Sequence, residues 1–392
     1  MRKDSFILPE GVIYLDGNSL GPLPAAAMQR LKSTVADEWG ELLIRAWNKA
    51  GWMQMPARLG DRIAPLIGAP EGSVMVGDTL SIKVYQALDA ALKLRPDRNV
   101  VLSDNGNFPS DLYMAEGLLK TIGRDIELRV VAPEAVADNV DEQVAVLMLT
   151  EADYRTGRLH DMAMLTRRAH EAGAVTIWDL AHTAGAMPID VDGCSTEFAV
   201  GCTYKYLNGG PGAPAFIYVR PDIADSIDPG LSGWLGHAEP FAFDLEYRPA
   251  PATERMRVGT PPVLQMAVLD TALDVWEGLS MQDLRDRSIT LSELFIKRVE
   301  KNCPQLKLMS PRDPQQRGSQ VSFAFDHGYE VMQALIARGV IGDFRAPDMM
   351  RFGFTPLYLD EGDIKRAVAI LTEIMDDEVW REPEYGRRSL VT

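Results

Sequence analysis

Lys205 stands between Tyr204 and Tyr206, at the end of an apolar run that begins at Phe198. A glycine-rich turn, Asn208 to Gly212, follows it. An ammonium just past a buried strand is costly to desolvate, and losing its proton makes the amine a nucleophile. A surface lysine at a strand end is the alternative, so the neighbours must decide. Upstream, the segment Asp179 to His182 closes another apolar run. A buried carboxylate at Asp179 calls for a cationic partner, whereas a solvated one does not. His182 reads either as a reacting group or as a satisfied structural histidine. A third feature lies at Thr79, Leu80 and Ser81, just before a helical pattern of apolar residues at Ile82, Tyr85, Leu88 and Leu92. A helix start offers free N–H groups to a phosphate, and Thr79 or Ser81 can equally cap it without a ligand.

These residues need elements that bring them together, and the pattern supplies them. Short apolar runs at 73–76, 99–102, 126–131, 144–149, 175–178, 198–202 and 216–219 alternate with helical stretches such as 108–123 and 162–172. Near-continuous apolar strands alternating with helices predict a mostly parallel sheet covered on both faces, hence an α/β fold. Ligands in such sheets sit at the carboxyl ends of strands. Thr79, Thr150, Asp179, His182 and Lys205 all fall there. A helix is expected over 25–39, ended by Gly40, and another over 58–67. Trp47 and Trp52 lie in a loop-like stretch, either as core or as a wall for an aromatic ligand. Residues 220–262 form a long connection carrying Trp234, His237, Arg257 and Thr260. Helices over 263–276, 281–301, 329–337 and 361–375, with a strand at 320–325, predict a smaller α+β domain. The expected division is 1–50 packing with that small domain, 51–265 as the large domain, and 266–392 as the small one.

The chain has 392 residues and a net charge of −16, which argues against nucleic acid and anionic membranes as partners. No apolar run has the length to cross a bilayer. Three cysteines without a C-x-x-C pair fit a reduced, cytoplasmic setting and give no metal site.

A nucleophilic lysine, a strand-end acid and a phosphate-binding helix start are together what pyridoxal 5′-phosphate requires: a Schiff-base amine, a carboxylate for its ring nitrogen and a phosphate cradle. The longer motifs go further. Asp179-x-Ala181-His182, Tyr204 to Gly212, Phe108-Pro-Ser-Asp111, Gly233 to His237, Arg257 to Pro262 and Arg351 to Tyr358 resemble the fold-type I pyridoxal phosphate enzymes of aminotransferase class V, and among them the kynureninases. The resemblance spans almost the whole chain. It implies a seven-stranded sheet in the large domain and a hydrolase acting on carbon–carbon bonds in ketonic substances, one that cleaves the Cβ–Cγ bond of L-kynurenine or its 3-hydroxy form. The products are an aryl acid (anthranilate from kynurenine) and L-alanine, and the setting is tryptophan catabolism.

By the same resemblance, Lys205 carries the cofactor and moves the Cα proton, and Asp179 pairs with the ring nitrogen. Phe108 stacks on the ring, and Asp111, Thr150 and His182 line it. Thr79 and Leu80 meet the phosphate, and Tyr204 binds it and can serve as an acid. Trp234 and Thr260 reach it from a neighbouring subunit, which implies a homodimer. Arg351 holds the substrate α-carboxylate. Threonine at 260, where some relatives carry asparagine, leans towards plain kynurenine. Glu151 and Asp153 are two acids where a more neutral segment is expected. The rival within the class is a cysteine desulfurase or a lyase on a β-substituted amino acid, for which Cys303 is the thiol candidate. A dehydrogenase lacks its G-x-G-x-x-G fingerprint here. A binding protein without catalysis would not need Lys205 and Asp179.

Overall fold

The computed structural model describes residues 2–388; Met1 and residues 389–392, at the outer ends of the first and last expected segments, lie outside them. Seven strands build the main sheet: β1 (Val74–Val76), β2 (Val100–Asp104), β3 (Glu127–Val131), β4 (Val144–Thr150), β5 (Val175–Asp179), β6 (Phe198–Gly201) and β7 (Phe216–Val219). Their spatial order is β1-β7-β6-β5-β4-β2-β3. All neighbouring pairs are parallel except those of β7, which runs antiparallel to both β1 and β6.

Alternation along the strands feeds two cores. Val101, Val146, Met148, Val175 and Ile177 pack under the helices Leu80–Lys93 and Pro109–Thr121. Val100, Leu102, Leu147, Leu149 and Trp178 face the other way, into a core shared with the helices Met55–Ile63, Met162–Ala172 and Val263–Leu273. Both faces are covered, which is why the strands read as nearly unbroken apolar runs.

The second core continues into a four-stranded antiparallel sheet: β8 (Lys307–Leu308), β9 (Gln320–Ala324), β10 (Asp343–Arg345) and β11 (Met349–Gly353), in the order β8-β9-β11-β10. Its register sets Asp343 directly opposite Arg351. Residues Ile13–Tyr14 pair in parallel with Val340–Ile341, and Leu15 exchanges backbone hydrogen bonds with Ile341 and Gly353, each at 2.7 Å. The N-terminal segment then reaches the lysine loop, where Gly21 N–H donates to the Tyr204 carbonyl at 2.8 Å.

One local expectation changes, and one open alternative closes. The helix expected to stop at Gly40 runs as Ala27–Ser33 and continues as a wider π-type coil, Thr34–Leu42. Glu38 anchors that coil by accepting from Trp52 Nε1 at 2.7 Å and pairing with Arg30. Trp47 and Trp52 stack edge to face at 5.6 Å against the core, so they are packing residues rather than a ligand wall. No helix of the described residues is long and apolar enough to cross a membrane.

Candidate active site

Parallel register aligns the carboxyl ends of β4, β5 and β6. Thr150 lies opposite Asp179, and Asp179 opposite Val200. Thr150 and Asp179 share the parity of Met148 and Ile177, so both point to the face covered by the helix Pro109–Thr121, which supplies Asp111. The antiparallel β7 joins this group to the phosphate-type helix start. Its first residue, Phe216, pairs with Gly201 at the end of β6 and with Val76 at the end of β1. Ala215 N–H donates to the Asp78 carbonyl at 3.0 Å, and Gly77 N–H to the Ala215 carbonyl at 2.9 Å. Thr79 then caps the helix Leu80–Lys93, accepting from Ile82 N–H at 3.5 Å. Ser81 Oγ and Ser110 Oγ, 3.1 Å apart, tie that helix start to the start of the helix Pro109–Thr121. Two N-terminal ends therefore open side by side, the environment that favours an anion.

Lys205 Nζ lies 2.9 Å from His182 Nε2. Burial and the positive charges of Lys205, Arg351 and Arg345 hold the imidazole neutral, its pKa well below the usual range. A neutral ring that accepts from the lysine at Nε2 carries its proton at Nδ1, a buried atom with no partner among the described residues. The Phe108 and Tyr204 rings lie 5.9 and 5.8 Å from the ammonium. Phe108 is half-exposed at the mouth, steadied edge-on by Tyr154 at 5.1 Å. Burial, together with the Cys202 thiol, pushes the Tyr204 phenol up, so it stays a proton donor.

Asp111 and Asp179 are both buried and adjacent. Burial lifts Asp179 to about 6, against the pull of Lys205, the Ala181 N–H at 2.9 Å, Asp111 and Thr150. Burial and the Asp179 charge lift Asp111 well above the ordinary carboxyl range, so Asp111 keeps its proton and gives its hydrogen bond to Asp179. Two buried carboxyls facing the Lys205 cation, beside an imidazole nitrogen without a partner among the described residues and a paired helix start, fit pyridoxal phosphate: a protonated pyridine would relieve the carboxyl pair, and the helix starts would receive the phosphate.

Other expected residues sit differently. Arg351 reaches the site, buried, but its fork is taken. Nε donates to Asp343 Oδ1 at 2.6 Å, Nη2 to Asp343 Oδ2 and to Ser19 Oγ, and Nη1 to the Tyr154 carbonyl. Trp234 is half-exposed and packs on Phe241 at 5.7 Å. Thr260 is exposed and lines a small cleft with Asp78, Lys83 and Arg257. Among the described residues, no hydrogen bond or ring contact links either to Lys205. Sequence reading missed Asn107, which accepts from Thr150 and donates to Ser103 at 3.1 Å, and it missed Tyr154 and Ser19. Their signal was adjacency, to Phe108, to the β4 end and to Gly21 respectively.

Glu151, by strand alternation, points away from this group. Burial raises it to about 7, and its Oε2 has no partner among the described residues. A carboxyl raised from 4.5 stabilises the fold fully below pH 4.5 and loses that contribution as pH rises through 7. Glu151→Gln is expected to raise unfolding free energy at pH 8 by about 1–3 kcal/mol and to change it little at pH 4, read from paired denaturant melts.

Gly21 backs onto the lysine loop so closely that a Cβ there would lie 2.5 Å from the Lys205 carbonyl oxygen and 2.6 Å from Asn208 Cα. Gly21→Ala is expected to shift that loop and lower kcat about 100-fold, since a misplacement near 1 Å costs that much. Stability should fall by only about 1–3 kcal/mol. Unchanged kcat would show that the loop tolerates the displacement.

This sheet, with its strand-end lysine over a buried carboxyl pair, defines the class: a pyridoxal phosphate-dependent enzyme of fold type I. A cysteine desulfurase from Thermococcus onnurineus NA1 shares the fold with a TM-score of 0.80 at 15% identity, over 96% of this chain and 98% of that one. The cysteine desulfurase CsdA from Escherichia coli does so with a TM-score of 0.79 at 17% identity, over 95% and 97%. Residues 284–371 match the kynureninase C-terminal domain. The kynureninase of Burkholderia pseudomallei (strain 1106a) is 49% identical over 100% of this chain and 95% of its own. That of Pseudomonas fluorescens is 48% identical over the same shares. The chain belongs to the kynureninase family.

Proposed function

We propose that the protein hydrolyses the Cβ–Cγ bond of L-kynurenine to anthranilate and L-alanine. Family membership supports the reaction. The observation at the site that carries it is Lys205 Nζ, 2.9 Å from a neutral histidine and beside the buried Asp111–Asp179 pair. Pyridoxal phosphate, when bound, supplies the electron sink for bonds broken at the amino acid's α- and β-carbons.

The chain's own groups do the rest. Asp179 holds the ring-nitrogen charge, and Asp111 fixes the Asp179 carboxylate by donating to it. Lys205 carries the cofactor and then moves the Cα proton, with His182 holding the amine in place through an acceptor that adds no charge. Phe108 covers the ring. Thr150, bonded to Asn107, keeps Asp179 oriented. Tyr204 donates to the phosphate and supplies an acid. Thr79 and Leu80 open the helix start to the phosphate. Arg351 takes the substrate α-carboxylate, and Arg351→Ala is expected to raise KM about 10–100-fold with a smaller change in kcat, because a charge-assisted pair contributes about 1.5–3 kcal/mol. An unchanged KM would remove Arg351 from that role.

We infer a homodimer in which Trp234 and Thr260 complete a neighbour's phosphate site; the exposure of both residues supports this. The three-part division at 50 and 265 is our reading of the domains, supported by the N-terminal strand paired to Val340–Ile341. A cytoplasmic setting is supported by three free cysteines. The desulfurase alternative has less support, because burial raises the Cys303 thiol and encloses it in the core. The direct experiment adds L-kynurenine to purified, cofactor-loaded protein and follows anthranilate fluorescence. Anthranilate with equimolar alanine is the expected result. A coloured protein that leaves both kynurenine and 3-hydroxykynurenine intact would overturn it.

A further inference from the structure

The Arg351 guanidinium has no free fork for a substrate carboxylate. Asp343 faces it across the β10–β11 register and binds it through both Nε and Nη2. This is the geometry a ligand carboxylate would adopt. Ser19 Oγ donates to Asp343 Oδ2 at 2.5 Å and so holds the carboxylate in register. Both members of the pair are almost fully buried, so neither can be solvated in place by water alone. A second guanidinium, Arg345, touches the same Asp343 Oδ2 at 2.9 Å from a more exposed position. Asp343 therefore has somewhere to go: it can release Arg351 and remain ion-paired to Arg345.

We propose that Asp343 is a built-in stand-in for the substrate carboxylate, one that occupies Arg351 in the empty site and is displaced onto Arg345 when an α-amino acid binds. The proposal rests on the reading of Arg351 as carboxylate anchor. Asp343 is then a positioning residue: it keeps the buried guanidinium aimed and paired between turnovers, and it lowers affinity for carboxylates by competing for the same donors. The balance of charge fits. Burial and the Asp343 charge raise the neighbouring Asp16 carboxyl to about 7, so around neutral pH it is in good part protonated. With Asp16 neutral, Arg351, Arg345 and Asp343 leave one positive charge, and a substrate carboxylate cancels it.

The test uses cofactor-loaded protein and two probes: L-alanine, the carboxylate-bearing product, followed by its spectral change, and kynurenamine, the decarboxylated analogue of kynurenine. Asp343→Asn keeps size but removes the competing charge and turns one of the two acceptor oxygens into a donor. If the free fork is populated about one part in ten, the Kd of L-alanine falls by up to about tenfold, and kynurenamine binding is unmoved. Arg345→Gln, at a more exposed position, removes the place that receives Asp343, so the Kd of L-alanine rises while kynurenamine again stays level. Opposite signs from two neighbouring variants cannot come from general damage to the fold. Weaker or unchanged alanine binding in Asp343→Asn, or unchanged binding in Arg345→Gln, overturns the displacement model. Arg351→Ala separates the two levels. If it leaves alanine affinity unchanged, the anchor itself is wrong. If it weakens alanine alone while Asp343→Asn brings no gain, the anchor stands and the competition falls.

Discussion

Replacing Lys205 with alanine is expected to remove turnover, with kcat down by at least about 1,000-fold, while the fold stays intact. The size follows from the role. A positioned proton-transfer group contributes about 100–10,000-fold, and here the same amine also holds the cofactor covalently. The fold should tolerate the change because Lys205 is only partly buried and, among the described residues, its ammonium is hydrogen-bonded only to His182. Losing the ammonium also removes one of the charges that depress His182, which leaves a neutral ring either way under burial. The colour of the lysine-bound cofactor should disappear, and cofactor should remain only as a dissociable ligand. Added small primary amines should restore a measurable fraction of the rate, because the missing group is a base beside the half-exposed Phe108 ring rather than a packing element. A variant that kept its colour after dialysis and turned over kynurenine at the normal rate would end the assignment of Lys205.

The large sheet was legible because its strands are buried on both faces and read as short apolar runs. The candidate site residues on it stand out for a related reason. A polar residue at or just past the end of such a run, as at Thr150, Asp179 and Lys205, stands out against the apolar residues before it. The N-terminal helix was less legible. Gly40 is a sound stop signal by itself, yet Glu38, tied to Trp52 and Arg30, carries the coil past it to Leu42. That is a tertiary contact outweighing a local preference.

Other features depend on long-range register, which spacing in the chain does not encode. Arg351 carries a signal as a lone arginine in an apolar strand, but its pairing with Asp343 arises only from how β10 meets β11. Ser19 and Gly21 sit in a turn-rich segment with no periodicity. Their positions against Asp343 and the lysine loop come from the pairing of Ile13–Tyr14 with Val340–Ile341 and from Gly21 N–H on the Tyr204 carbonyl. The buried proton shared by Asp111 and Asp179 is of the same kind. Phe108-Pro-Ser-Asp111 marks a helix start, while the placement of that helix over β5 is a property of the packed sheet.

That shared proton gives the second large effect. Asp179→Asn is expected to lower kcat by about 100–5,000-fold, from the roughly 3–5 kcal/mol lost when one partner of a buried ion pair is removed. Asp111→Asn should cost less than about tenfold, because Asp111 already carries its proton and an amide can still donate to Asp179. The two substitutions remove similar volume and polarity, so the contrast between them isolates the charge. A pH signature accompanies it. Without cofactor, Asp179 is raised from 3.8 to about 6, so its contribution to stability is complete below pH 3.8 and is lost as pH rises through 6. A cation on the ring nitrogen makes the ionised form the favoured one. The rise in melting temperature on adding pyridoxal phosphate should therefore be larger at pH 7.5 than at pH 5 in the native protein. Asp179→Asn should make that rise nearly independent of pH, and Asp111→Asn should keep most of the dependence. Equal pH dependence in native protein and Asp179→Asn would mean that the carboxyl facing the ring nitrogen is not Asp179.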